Sequence, residues 1–139
     1  MFTSDRILKK HLVFNLAGTL FLVLFGAVYE AFSHGVYSYF MLYAFTVPLV
    51  LGVTLYTILM MTGKHPSRVF LNLWNSAIAA FSVGSVFQGV LEIYGTTNPL
   101  LIVYPIAGCI LAALSIASLI INPIKNRPVY RAGEYDFTP

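Results

Sequence analysis

The sequence is poor in charge and has almost no cysteine. Only 9% of its 139 residues are Asp, Glu, Lys or Arg, whereas about a quarter of a soluble domain is charged. The single cysteine, Cys109, excludes an internal disulfide and a metal site built from several cysteines, and its apolar neighbours favour a packing role. Apolar residues dominate instead, with 58% hydrophobic residues and a mean hydropathy of +0.81. This composition predicts an integral membrane protein.

The sequence signatures of common reactions are also missing. There is no Gly-rich phosphate loop ending in Lys-Ser or Lys-Thr, no His-Glu-x-x-His and no Gly-x-Ser-x-Gly. Four spans of about 20 residues would take up most of the chain, so a separate soluble catalytic domain is not expected. An enzyme is therefore the least favoured class, and the sequence requires no cofactor.

Four apolar segments are long enough to cross a bilayer, and each is bounded by short turns rich in Gly and Pro. The predicted spans are residues 8–29, 36–61, 69–92 and 100–121. Helices joined by such short turns must be antiparallel neighbours. The sequence thus predicts an all-α integral membrane protein, a four-helix bundle running up-down-up-down within residues 1–122, followed by a short cytoplasmic tail, residues 123–139.

All basic residues fall on one side of the predicted spans. They are Arg6, Lys9, Lys10, Lys64, Arg68, Lys125, Arg127 and Arg131. Because Lys and Arg are retained in cytoplasmic loops, both termini and the central turn are predicted to be cytoplasmic in a multi-pass protein of the plasma membrane. The net charge of +3 is therefore expected to serve orientation and contacts with anionic lipid, and no nucleic-acid partner is predicted.

The two halves of the chain match weakly at an offset of 57 or 58 residues. Gly26–Glu30 meets Gly84–Gln88, and Pro48 meets Pro105. This pattern predicts two copies of a two-helix hairpin, related by an axis along the membrane normal. Chance alignment of apolar segments is the alternative explanation.

Polar residues recur at helical spacing within two spans. Asn15 and Thr19 share a face of the first span, and their counterparts in the third are Asn72 and Ser76. Because such side chains form hydrogen bonds between membrane helices, the two faces are predicted to meet at the centre of the bundle. They would serve helix packing or, alternatively, a polar path.

The remaining polar cluster is predicted at the outer membrane boundary. Glu30 lies 20 residues after Lys10, and Gln88 lies 20 residues after Arg68. His34 and Glu92 lie one turn further out. These four residues are candidate contacts for a ligand, an ion or a proton, and Glu30, His34 and Glu92 are the candidate metal ligands if a metal binds. The structural alternative is a Glu–His hydrogen bond that holds the two hairpins together.

In size and number of spans the chain is similar to the small multidrug-resistance transporters and the compact fluoride channels. The drug transporters carry an acidic residue in the middle of the first helix, whereas this first span has none before Glu30. The leading hypothesis is a small transport-related membrane protein, a homo-oligomer or bound to a partner membrane protein. The alternatives are an accessory or sensor subunit and, third, a membrane-embedded enzyme or cofactor binder.

Overall fold

A computed structural model describes residues 2–126. Its helices are α1 (Phe2–Phe32), α2 (Tyr39–Tyr43), a π-helical segment (Pro48–Thr54), α3 (Leu55–Met61), α4 (Arg68–Ile93), a 3-10 turn (Pro99–Ile102) and α5 (Val103–Ile121), and two short strands are β1 (Lys64–His65) and β2 (Lys125–Asn126). Four stretches are long and apolar enough to span a membrane: Asp5–Phe32, Tyr39–Met61, Arg68–Ile93 and Pro99–Ile121. The predicted four-span helical architecture is confirmed. Most of the predicted tail, from residue 127 onwards, lies outside the described residues.

One end of the protein gathers the start of α1, the turn between α3 and α4, and the residues after α5. The two-residue strands pair antiparallel, with Lys64 opposite Asn126 and His65 opposite Lys125. The Asp5 carboxylate lies 3.5 Å from His65 Nε2. The spans therefore run up and down, and all Lys and Arg residues of the described chain lie towards this end, here called the basic end. That it faces the cytoplasm stays a prediction.

The four spans do not form an evenly closed bundle. α1 packs on the second span, the second span packs on α4, and α5 packs mainly on α4. Close packing of α5 depends on Gly108, where an added Cβ would lie 2.8 Å from the Phe81 ring, and on the Ser115 hydroxyl, which donates to the Phe70 carbonyl at 3.0 Å. The backbones of α1 and α4, by contrast, approach each other closely at few points.

The second span is interrupted, although the sequence predicted one helix from residue 36 to 61. Residues 36–38 are not helical, and α2 starts at Tyr39, where Ser38 has an extended backbone and its Oγ accepts from the Met41 amide. Further on, Pro48 has no amide hydrogen to donate, and a π-helical turn follows it. Carbonyls of this turn are bonded by side chains, since Trp74 Nε1 donates to Leu51 O at 2.8 Å.

The buried core lies near the basic end and joins three of the spans. It consists of Leu8, Tyr56, Leu59, Phe70 and Leu71. These side chains come from α1, α3 and α4, so α3 holds α1 and α4 together at this end. The space between α1 and α4 further along the spans has no such filling.

Candidate functional site

A cleft of about 640 Å³ lies between α1 and α4, and Pro48 of the second span contributes to its lining. Its volume is within the range of about 300–1,000 Å³ that is usual for ligand pockets. Phenylalanines from both helices line it, and Phe14, Phe21 and Phe87 are 65%, 63% and 47% exposed. Because these rings stand at an unfilled gap between two membrane helices, the cleft is open sideways towards the bilayer. It is here called the α1–α4 cleft.

Three polar side chains form one end of the cleft. Asn15 Nδ2 donates to the His11 carbonyl at 2.8 Å and to Asn75 Oδ1 at 2.9 Å. Asn75 Nδ2 in turn donates to the Leu71 carbonyl at 2.8 Å and lies 2.8 Å from His11 Nδ1. Each amide therefore bonds a carbonyl of its own helix and reaches across to the other helix. This cluster of His11, Asn15 and Asn75 is the polar end of the cleft.

The hydrogen bonds determine which nitrogen of His11 carries its proton. The nitrogen of Asn75 must face Leu71 O, because the amide oxygen has no hydrogen to offer a carbonyl. The second hydrogen of that nitrogen then points at His11 Nδ1, which must accept it. The imidazole is thus neutral with its proton on Nε2, and no hydrogen bond of the described residues engages Nε2. The polar end offers one free N–H donor.

Close packing with the second span fixes this cluster in place. Gly52 of the π-helical segment lies against Asn15, so that an added Cβ would be 2.8 Å from the Asn15 Cβ. The His11 ring stacks on the buried Tyr56 ring with centroids 5.7 Å apart. Thr19 donates to the Asn15 carbonyl at 2.8 Å. The polar side chains are therefore held by packing before any ligand binds.

Beyond the opposite end of the cleft, α2 packs between α1 and α4. Met41 is 1% exposed and lies between two glycines, Gly26 of α1 and Gly89 of α4. A Cβ added at Gly26 would lie 3.3 Å from the Met41 carbonyl oxygen, and one added at Gly89 would lie 2.8 Å from the Met41 nitrogen. At Gly89 only a residue without a side chain allows α2 to pack so closely, and at Gly26 the contact is tight. This short helix is here called the cap.

One hydrogen bond to the predicted outer cluster attaches the start of the cap to α4, and a second lies within α4. Ser38 Oγ donates to Glu92 Oε2 at 2.6 Å, and Gln88 Nε2 donates to Glu92 Oε1 at 3.2 Å. The structure thus brings together Gln88 and Glu92, and it adds Ser38, which sequence reasoning missed. A serine just before a short helix is the signal that could have identified it.

The structure does not gather the candidate metal ligands. α1 ends at Phe32, and His34 follows in a turn with φ 54, exposed to solvent. Glu30 is partly buried, and its Oε1 has no hydrogen-bond partner among the described residues. Within residues 2–126 no three His, Cys, Asp or Glu side chains are placed to hold a metal ion. Glu30, His34 and Glu92 therefore do not converge as a coordination site.

The predicted packing residues are divided between two environments. Asn15 and Thr19 are buried, whereas Asn72 and Ser76 are exposed on α4, and Asn15 bonds with Asn75 instead. The alignment of the two halves pairs Asn15 with Asn72 and assigns no role to Asn75. His11, four residues before Asn15 and on the same helical face, was the available signal for a third member of the cluster.

The chemistry of the cleft suits non-covalent binding of an amphipathic molecule. Its apolar walls would accommodate a hydrocarbon part, and the polar end would form a hydrogen bond with a polar group.

No protein-family model, curated protein or solved structure matches the chain.

Proposed function

We propose that this chain is a small transport-related membrane protein in which a lipid-soluble solute enters the α1–α4 cleft sideways from the bilayer. The observation that carries the proposal is the cleft itself, about 640 Å³ in volume, with the polar end at one end and the cap beyond the other. A helix pair that served packing alone would close this gap with small residues, as α4 and α5 do at Gly108.

The polar end supplies the selectivity. Lipid tails are as apolar as the cleft walls, so hydrocarbon gains little free energy by moving from the bilayer into the cleft. A hydrogen-bonding group gains more, because in the bilayer core it has few partners. The His11 Nε2–H donor would therefore select amphiphiles over plain hydrocarbons.

The outer cluster acts through the cap in this proposal. If the basic end faces the cytoplasm, the polar end of the cleft faces inward and α2 covers it on the outside. Release to the outside then requires α2 to separate from α4, which breaks the Ser38–Glu92 bond. Glu92 and Gln88 thereby control access, with Glu30 and His34 beside the outer opening.

The test uses the full chain in two sets of liposomes, one containing phosphatidylcholine and the other phosphatidylglycerol, each labelled with a fluorescent, reducible group. Dithionite outside the vesicles reports how fast the label crosses the bilayer. We expect the protein to accelerate crossing and Gly18→Phe to abolish the acceleration, because Gly18 lines the cleft and has open space beside it. Ala27→Phe is the matched control, since Ala27 is exposed nine residues further along α1, on the opposite side of the helix.

Equal rates for Gly18→Phe and wild type would contradict the proposal. So would a stoichiometric partner membrane protein that co-purifies with a chain showing no transport, which would favour the accessory-subunit alternative.

The outer cluster is tested by Glu92→Gln and Glu30→Gln. A hydrogen bond to a charged group is stronger than a neutral one by about 1 kcal/mol. Glu92→Gln should therefore loosen the cap and change the rate of lipid crossing about fivefold. If neither variant altered the rate, control of access by this cluster would be ruled out, although the cleft proposal would stand.

A further inference from the structure

We infer that the occupant of the α1–α4 cleft is an anionic phospholipid, with an acyl chain between the apolar walls and its phosphate at the basic end. The inference deepens the proposed function and rests on the cleft being its solute site. It names the chemistry of the solute, which the shape of the cleft alone leaves open.

Each of the two helices carries a cation between the polar end of the cleft and the basic end of the protein. Lys10 Nζ lies over the Phe14 ring, 5.9 Å from its centroid, and Phe14 forms part of the cleft wall. On the other wall, Arg68 precedes Asn75 by seven residues, two helical turns, and therefore lies on the same face of α4. A head group that leaves the cleft towards the basic end is therefore expected to come within reach of one cation from each helix.

The charge around this opening is strongly one-sided. The described residues of the basic end carry six cations and one acid: Arg6, Lys9, Lys10, Lys64, Arg68, Lys125 and Asp5. Among residues 2–126, no carboxylate lines the cleft itself. A zwitterionic head group would bring its own ammonium against these cations, whereas an anionic head group brings only complementary charge.

The hydrogen-bonding groups point to the same class. A phosphate oxygen accepts hydrogen bonds, and the free donor of the polar end is the His11 Nε2–H. The exposed Asn72 amide, one turn before Ser76 and between Arg68 and Asn75 along α4, offers further N–H donors. A two-chain lipid fits a sideways-open cleft, since one chain can occupy it while the other stays in the bilayer.

The experiment measures retained lipid by native mass spectrometry of the full chain, purified in mild detergent after reconstitution. The vesicles contain equal amounts of phosphatidylglycerol and phosphatidylcholine with identical acyl chains. We expect one phosphatidylglycerol retained per chain. Lys10→Gln and Arg68→Gln should each lower that retention about fivefold, which corresponds to one lost cation near the lipid surface.

Lys9→Gln is the matched control for charge. Lys9 precedes Gly18 by nine residues and so lies on the opposite side of α1, although it adds the same charge to the basic end. Its substitution should leave retention unchanged. Gly18→Phe and, from the other wall, Val83→Trp should both remove the retained lipid, and circular dichroism shows which of them keeps its helices.

Three results would overturn the inference: equal retention of phosphatidylcholine, an equal loss in Lys9→Gln and Lys10→Gln, or full retention in a folded cleft-filling variant. Failure of the proposed function is separate from these results. A chain that retains phosphatidylglycerol without accelerating lipid crossing supports the binding site and refutes transport. A chain that accelerates crossing without preferring anionic lipid supports transport and refutes the anionic-lipid inference.

Discussion

At the scale of single residues, three glycines of the spans lie in very different packing. Gly18 has no atom within 4 Å of the position that a Cβ would take. A Cβ at Gly89 would meet the Met41 backbone at 2.8 Å, and one at Gly52 would collide with the Asn15 side chain. An added methyl group would therefore find open space at Gly18, in the cleft. It would clash at Gly52 and Gly89, where the second span packs on α1 and α4.

Alanine at these positions should change stability in opposite directions. Gly18→Ala should stabilise the protein by about 0.5–1 kcal/mol, because alanine loses less backbone entropy in a helix. Gly52→Ala and Gly89→Ala should destabilise it by about 1–3 kcal/mol, the usual cost of overpacking. Unfolding by sodium dodecyl sulfate in mixed micelles, followed by circular dichroism, measures all three. A destabilising Gly18→Ala would contradict the open cleft.

The two asparagines of the polar end should show energetic coupling. A double-mutant cycle of Asn15→Ala and Asn75→Ala should give a coupling free energy of about 0.6–1.7 kcal/mol, the range found for hydrogen bonds between membrane helices. Asn72→Ala is the control, because Asn72 is exposed and has no role in the Asn15 bond. The same unfolding measurement applies, and additive effects of the two substitutions would argue against the bond.

Residue types alone could indicate these polar contacts but not their partners. Asn15 was identified from the sequence because a polar residue within an apolar span needs a hydrogen-bond partner. Its actual partner, Asn75, depends on the rotation of α4, which the packing of Gly89 on Met41 and of Ser115 on Phe70 determines. Pairing within the cluster is thus a consequence of long-range packing.

At the scale of helices, the second span is the element that the sequence described least well. The boundaries of the third and fourth spans were predicted to within one residue, because apolar length and turn residues are local signals. The π-helical turn depends on a distant side chain, since Trp74 of α4 bonds the Leu51 carbonyl. Pro48 could indicate a break, but the tryptophan that stabilises its form lies 26 residues away.

Removing the tryptophan N–H should loosen this turn. Trp74→Phe keeps an aromatic ring beside Phe70, on which Trp74 stacks at 5.8 Å, but leaves Leu51 O without its donor. Loss of about 1–2 kcal/mol of local stability should make amide hydrogen exchange in residues 49–55 about 5- to 30-fold faster. Exchange in α5 should not change, and mass spectrometry of peptides from both regions makes the comparison. Equal exchange in 49–55 would show that the bond does not stabilise the turn.

At the scale of the whole molecule, two separate contacts hold α1 and α4 apart by a fixed gap. The core around Tyr56 joins them at the basic end, and Met41 of the cap joins them at the other end. The predicted meeting of the first and third spans is consequently reduced to the bonds of Asn75 with Asn15 and His11, with the cleft beyond them. The two-hairpin repeat stays a prediction, and its members have unlike surroundings, since Gly26 lies against Met41 and Gly84 against Tyr104.

Orientation in the membrane is the last property of the whole molecule, and both the cap and the lipid proposal depend on it. Single cysteines at Thr96 and Thr62, exposed in turns at opposite ends of α4, report it in a Cys109→Ala background. Because Lys and Arg mark the cytoplasmic side, an impermeant maleimide should label Thr96→Cys in intact cells and Thr62→Cys only after permeabilisation. The reverse pattern would place the cap inside and the two cations of the cleft outside. In that case anionic lipid would have to be drawn from the outer leaflet.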